Sequence, residues 1–170
     1  YAMSGIPNIK LFDLMVFIAG YTFGFKRGAI IASSSWIIYG TINPWGIAST
    51  PLLATLMAAE IIYAFAGAMV RQVLTLTPNK LPISIYSIVF GITAIICTLI
   101  YDLSTNMATG IMWAHIAQSS DYWKWITIAI MNPGALYFSA AHIGSNIALF
   151  SLLAIPLLNL ASRGKNAMRW

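Results

Sequence analysis

Apolar residues follow one another in five long runs, separated by short stretches rich in Gly, Pro or charge. The runs cover about 11–25, 29–42, 51–74, 82–104 and 135–162. None alternates between apolar and polar positions as the strands of a membrane barrel do, so each run predicts a helix. The last three runs reach the roughly 20 residues that a helix needs to cross an apolar layer of about 30 Å. The first two are shorter, so they must thin the bilayer or shelter inside a bundle.

The remaining long stretch, 104–134, is more polar than the runs around it. It contains "AHIAQSSDYWKW" and ends in Asn132, Pro133 and Gly134. We predict that it forms an external segment between the fourth and fifth helices.

Composition places the chain in a membrane. Hydrophobic residues make up 59% of its 170 residues and charged residues only 8%, against about 25% in an ordinary soluble domain. We therefore expect an all-α integral membrane protein, with 1–170 forming a single compact transmembrane helical domain in a cell membrane, surrounded by the lipid bilayer. The net charge of +5 does not indicate a nucleic-acid partner, because the basic residues lie at the ends of the runs.

The distribution of Lys and Arg predicts the orientation. If successive runs alternate in direction, one side of the membrane receives Lys26, Arg27, Arg71, Lys80, Arg163, Lys165 and Arg169. The other side receives only Lys10 and Lys124. The side that is rich in basic residues is normally cytoplasmic. Five crossing helices with a cytoplasmic C-terminus then place Tyr1 outside.

Polar residues inside the runs are the candidate functional groups. His142 and Asn146 are four positions apart, so they share one face of the last helix, beginning about 10 Å below its outer end. Glu60 lies near mid-depth of the third helix, and Asp13 and Asp102 lie near the outer ends of the first and fourth. Ionisable groups at such depths usually face a bundle interior or a water-filled cavity. The sequence thus predicts an outward-facing polar pocket.

Two stretches resemble the substrate-binding S components of energy-coupling factor (ECF) vitamin transporters. Pro7-Asn8-Ile9-Lys10 is similar to the external corner of that family, and the glycine-rich "GYTFG" over 20–24, followed by Gly28, is similar to its "GxxFGxxxG" motif. Towards the C-terminus, "AAHIGSNIALF" with the later Pro156 and Arg163 resembles the final helix of the family.

The resemblance implies six helices with both termini in the cytoplasm. One helix is then expected before Tyr1, with residues 1–4 as its outer end. It also implies capture of a vitamin-like small molecule from outside, with energy supplied by separate ATPase subunits through a shared ECF membrane subunit. The expected substrate-binding residues are His142, Asn146, Glu60, Asp102, Trp45 and Trp113.

Each of these residues has a structural alternative. His142 and Asn146 bind ligand or join helices by hydrogen bonds. Glu60 binds a cationic ligand or pairs with a neighbouring helix, and Asp102 contacts ligand or caps a helix end. The tryptophans stack on a flat ligand or belong to an interfacial aromatic belt.

The alternative function is an accessory or structural subunit of a larger membrane protein complex, without a ligand of its own. A membrane enzyme ranks last. The sequence contains neither a G-x-x-x-x-G-K-[ST] motif nor an HExxH motif, and its two histidines and single cysteine are far apart. We expect no enzymatic activity, no cofactor and no metal site.

Overall fold

The computed structural model describes residues 9–42, 46–75 and 82–167, apart from the side chains of residues 75 and 162–167. These residues form six helices and no strand. The hydrophobic pattern predicts an all-helical fold, which is confirmed, but it predicts five helices and does not indicate the short helix Tyr122–Met131. The helices are α1 (Leu11–Phe23), α2 (Phe25–Thr41), α3 (Thr50–Thr75), α4 (Ile83–Ile116), α5 (Tyr122–Met131) and α6 (Pro133–Ala167).

Three of the described helices, α3, α4 and α6, are long and apolar enough to cross a membrane. Much of their apolar surface faces outward. On α4, a stripe of exposed side chains recurs every three or four residues: Ile92, Ile96, Ile100 and Leu103. A stripe of this kind is costly in water and suits hydrocarbon. The fold is therefore compatible with a helical membrane bundle.

The short helix α1 lies inside this bundle. It packs against α2, α3 and α6, and most of its side chains are buried. At about 1.5 Å per residue its 13 residues span only about 20 Å. Burial among longer neighbours is how so short an apolar helix avoids exposing its ends to lipid.

Backbone contact between α1 and α3 fixes the position of α1. A Cβ atom on Gly20 would overlap the carbonyl oxygen of Ala64, and one on Gly67 would overlap the carbonyl oxygen of Phe17. Of the two glycines in the "GYTFG" stretch, Gly20 makes such a contact and Gly24 does not. A Cβ atom on Gly24 would meet nothing within 4 Å. Gly24 instead takes φ +87°, and this change of backbone direction separates α1 from α2.

The segment 104–134 differs from the sequence interpretation. Helix α4 continues to Ile116, and α5 folds back against it. Gly110 permits the contact, because a Cβ there would lie 2.5 Å from the Cα of Ile126. The reversal between them uses Gln118 at φ +52°. Most of the segment that we predicted as a connection between helices is thus a helical hairpin. Its polar residues interrupt the apolar pattern, so the pattern did not indicate a helix there.

We predict that Gly67→Ala destabilises the fold by about 1–3 kcal/mol or more, because the new methyl group meets backbone that cannot rotate away. Gly144→Ala is the matched control, since a Cβ there meets nothing within 4 Å. The control should gain up to about 1 kcal/mol from helix propensity. Reversible unfolding in mixed detergent would measure both, and equal stabilities would contradict the close contact of α1 with α3.

Candidate functional site

The core of the bundle has an apolar level and a polar level. The apolar level is an aromatic cluster in which Phe17 packs against Phe90 and Phe150, with ring centroids 5.7 and 5.1 Å apart. Tyr63 connects the two levels. Its ring lies 6.1 Å from that of Phe150, and its hydroxyl reaches the polar groups.

The polar level is centred on His142, which is fully buried. Its Nε2 lies 2.6 Å from Oδ2 of Asp13, and its Nδ1 lies 2.8 Å from Oδ1 of Asp102. The three residues come from α6, α1 and α4. One imidazole therefore joins three helices, and we call this group the Asp–His–Asp cluster.

Asn146 extends the cluster by one helical turn. Its Nδ2 donates to Oδ2 of Asp13 at 2.8 Å, and lies 2.9 Å from the hydroxyl of Thr98 and 3.2 Å from that of Tyr63. The Asp13 carboxylate fixes the amide orientation, because the reverse orientation would place two acceptor oxygens together. Asn146 thus holds α6 against α1, α3 and α4.

The half-buried Lys10 closes one side of the polar level. Its ammonium donates to the hydroxyl of Tyr101 at 3.5 Å and lies 4.5 Å above the centre of that ring. The Tyr101 ring in turn meets the imidazole of His142 edge to face, with centroids 5.5 Å apart. The ammonium places a positive charge near the buried carboxyl groups of Asp13 and Glu60, which lowers the cost of burying them.

Glu60 occupies a separate position on α3. It is fully buried, and its Oε2 accepts a hydrogen bond from the Trp36 indole at 3.1 Å. Its other oxygen, Oε1, has no partner among the described residues. An unpaired buried carboxylate oxygen is costly, so it marks a place where a donor would be favourable.

Trp36 also lines a surface groove. The groove has a volume of about 310 Å³ and is formed by the end of α2, residues 46–49 and the start of α3. Its walls are Trp36, Tyr39, Gly40, Gly46, Ile47, Ala48, Ser49, Leu52 and Leu56. This volume is at the lower end of the range for small-molecule pockets, about 300–1,000 Å³.

The predicted site residues thus separate into three groups. His142, Asn146 and Asp102 belong to one cluster, and Glu60 belongs to the Trp36 pair. Trp113 lies eleven residues beyond Asp102 on α4, roughly 16 Å away along the helix axis. Trp45 falls outside the described residues. Among the described residues no group of three or more His, Cys, Asp or Glu has the arrangement of a metal site.

Several members of the site were absent from the predicted set. Asp13 is the clearest, since it was noted only as an acid near the outer end of its helix. Thr98 precedes Asp102 by one turn and Tyr63 follows Glu60 by one turn. Spacings of three and four on several apolar helices were therefore an available signal. No sequence signal connects Trp36 with Glu60, because they meet only through packing of α2 on α3.

Comparisons with protein-family models, with curated proteins and with solved structures found no match for the chain. Function therefore has to be argued from the residues and their geometry.

We predict that Asn146→Ala lowers the free energy of unfolding by about 1–3 kcal/mol, because Asp13 loses a buried hydrogen-bond donor. Ser145→Ala is the matched control. Among the described residues the Ser145 hydroxyl bonds to the carbonyl of His142 in its own helix and to no other helix, so this change should stay within about 0.5 kcal/mol. Chemical unfolding in detergent would compare the two, and similar losses would argue against the interhelical role of Asn146.

Proposed function

We propose that the chain is a membrane-embedded substrate-capture subunit for uptake of a vitamin-like small molecule, similar to an ECF S component. It would work with separate ATPase subunits and a shared membrane subunit. The observation that carries the proposal is the groove between the end of α2 and the start of α3, with Trp36 in one wall and Glu60 bonded to its indole nitrogen. An apolar, partly aromatic wall close to one buried acid is a common design for a ligand site.

Within this proposal the candidate residues have two separate roles, one at the groove and one between helices. Trp36 and Tyr39 offer aromatic faces to a flat ligand, and Glu60 holds the Trp36 ring in place through its indole nitrogen. His142, Asn146 and Asp102 bond to one another or to other helices of the same chain. We therefore assign them to holding the helices that support the groove.

The proposed arrangement in the membrane has five crossing helices: α1, α2, α3, α4 and α6. Helix α5 has only ten residues, about 15 Å, and remains beside α4. The Lys and Arg asymmetry supports a multi-pass protein of the cell membrane with a cytoplasmic C-terminus. The groove, formed around residues 46–49, then faces outside.

The second candidate function is an accessory or structural subunit of a larger membrane complex. The internal hydrogen bonds of His142 and Asn146 favour it, because both ring nitrogens of His142 and the amide nitrogen of Asn146 have partners within the chain. The exposed apolar stripe on α4 offers a surface for neighbouring subunits as well as for lipid. Detection of a ligand bound in the groove would favour substrate capture over the role of a structural subunit.

We predict that a ring-containing vitamin or precursor raises the melting temperature of the purified chain and remains bound in native mass spectra. Ser49→Phe should abolish both effects, because Ser49 is exposed in the groove and the larger ring would fill it. Thr127→Phe, at an exposed position on α5 outside the groove, should leave them unchanged. A loss of at least tenfold in affinity is expected for the groove variant, equivalent to about 1.4 kcal/mol.

Two results would count against ligand capture in the groove. One is that no compound of a broad vitamin panel binds the folded chain. The other is that Ser49→Phe and Thr127→Phe bind an identified ligand equally well, which would move the site elsewhere.

We also predict that Lys26, Arg27 and Arg163 lie on the cytoplasmic side and Asp121 outside. Single cysteines at positions 27 and 121 should react with an impermeant maleimide from opposite sides. The native Cys97 is buried and should give little background. Labelling of both positions from the same side would refute the topology.

A further inference from the structure

The two contacts of His142 determine how many protons the cluster holds. A neutral imidazole has one N–H donor and one bare acceptor nitrogen, and an ionised carboxylate has only acceptors. Both ring nitrogens lie within 2.8 Å of a carboxylate oxygen. Each contact therefore requires a proton between its two heavy atoms, since two lone pairs at this distance would repel.

Two distributions satisfy this requirement. Either His142 is an imidazolium between two carboxylates, or it is neutral and one aspartic acid donates to its bare nitrogen. Both distributions contain two protons shared by the three groups. The same groups separated in water near pH 8 contain one, because the carboxyls are ionised and free imidazole is mostly neutral. Assembly of the cluster therefore takes up one proton.

Other charged and titratable groups surround the cluster on the helices packed against it. They are Lys10 before α1, Tyr39 on α2, Glu60 and Tyr63 on α3, and Cys97 and Tyr101 on α4. With two protons the cluster has a net charge of −1, which the ammonium of Lys10 balances. Without the second proton the charge becomes −2, and among the described residues Lys10 is the one cation that compensates this buried charge.

We propose that the Asp–His–Asp cluster is a proton-binding site whose occupancy attaches α1 to α4 and α6. The ligand is a proton, and its release is the simple dissociation of the protonated cluster into the deprotonated cluster and a proton. Release leaves one imidazole nitrogen facing a carboxylate oxygen without a hydrogen, so one of the two contacts opens. The half-buried Lys10 marks the side by which the proton exchanges with water.

The direction of the pH effect follows from the proton count. The assembled bundle binds one more proton than the unfolded chain above about pH 7, so its stability falls as pH rises. One proton corresponds to a tenfold change in the equilibrium constant per pH unit. The effect disappears below the pH at which the free histidine is itself protonated, about 6.5.

The first test counts the protons in the full chain at pH 7.5 in lipid nanodiscs. His115→Gln leaves His142 as the only histidine, so nitrogen NMR of labelled histidine reads its ring directly. Two N–H protons support the proposal. One N–H together with a carboxylic-acid infrared band that Asp13→Asn or Asp102→Asn removes also supports it. A neutral imidazole with no such band would overturn it.

The second test measures unfolding against pH between 7.5 and 9. The unfolding constant of the wild-type chain should rise about tenfold more per pH unit than that of Asp102→Asn. In this variant the new amide donates to one nitrogen of a neutral His142 while the other N–H of the ring donates to Asp13, so both contacts form without the second proton. His115→Gln is the control and should retain the full slope. Equal slopes in the wild-type and Asp102→Asn chains would overturn the proposal.

Discussion

The buried carboxylate of Asp13 is the constraint on which the arrangement of the core depends. A charged group inside an apolar bundle is stable only with hydrogen-bond donors and compensating charge close to it. The donors come from His142 and Asn146 on α6, and the imidazole also reaches Asp102 on α4. Pairing one oxygen of this carboxylate, Oδ2, thus fixes the rotation of α1 and α6, and the second nitrogen of the imidazole adds α4. The backbone contact at Gly20 fixes the spacing of α1 from α3.

Specific polar contacts matter more here than they do in a soluble core. Apolar side chains gain little by leaving lipid for the bundle interior, so they do not select one helix arrangement strongly. The aromatic level of Phe17, Phe90 and Phe150 supplies shape. Hydrogen bonds add a directional requirement, because each donor must meet an acceptor at a suitable distance and angle. The polar level therefore specifies register, and the aromatic level and the glycine contacts supply close packing.

Features that depend on local sequence spacing were predictable, whereas features that depend on contacts between distant helices were not. Helical periodicity predicted the all-helical fold and drew attention to His142 and Asn146, because both follow from local spacing. The length of α4 was missed, since the polar stretch after residue 104 hides a helix that α5 covers. The partnership of His142 with Asp13 was also missed, because no local pattern shows which faces of distant helices meet.

The separation between those partners also bears on how the protein is made. Asp13 and His142 are 129 positions apart, and the imidazole is in α6, which follows the other five described helices in the sequence. At about 5–20 residues per second, the ribosome reaches His142 roughly 6–26 s after Asp13. During that time α1 is a short segment whose acid has no imidazole to meet. The contact between α1 and α6 therefore forms late, and α1 lacks its imidazole partner while the helices between them are synthesised.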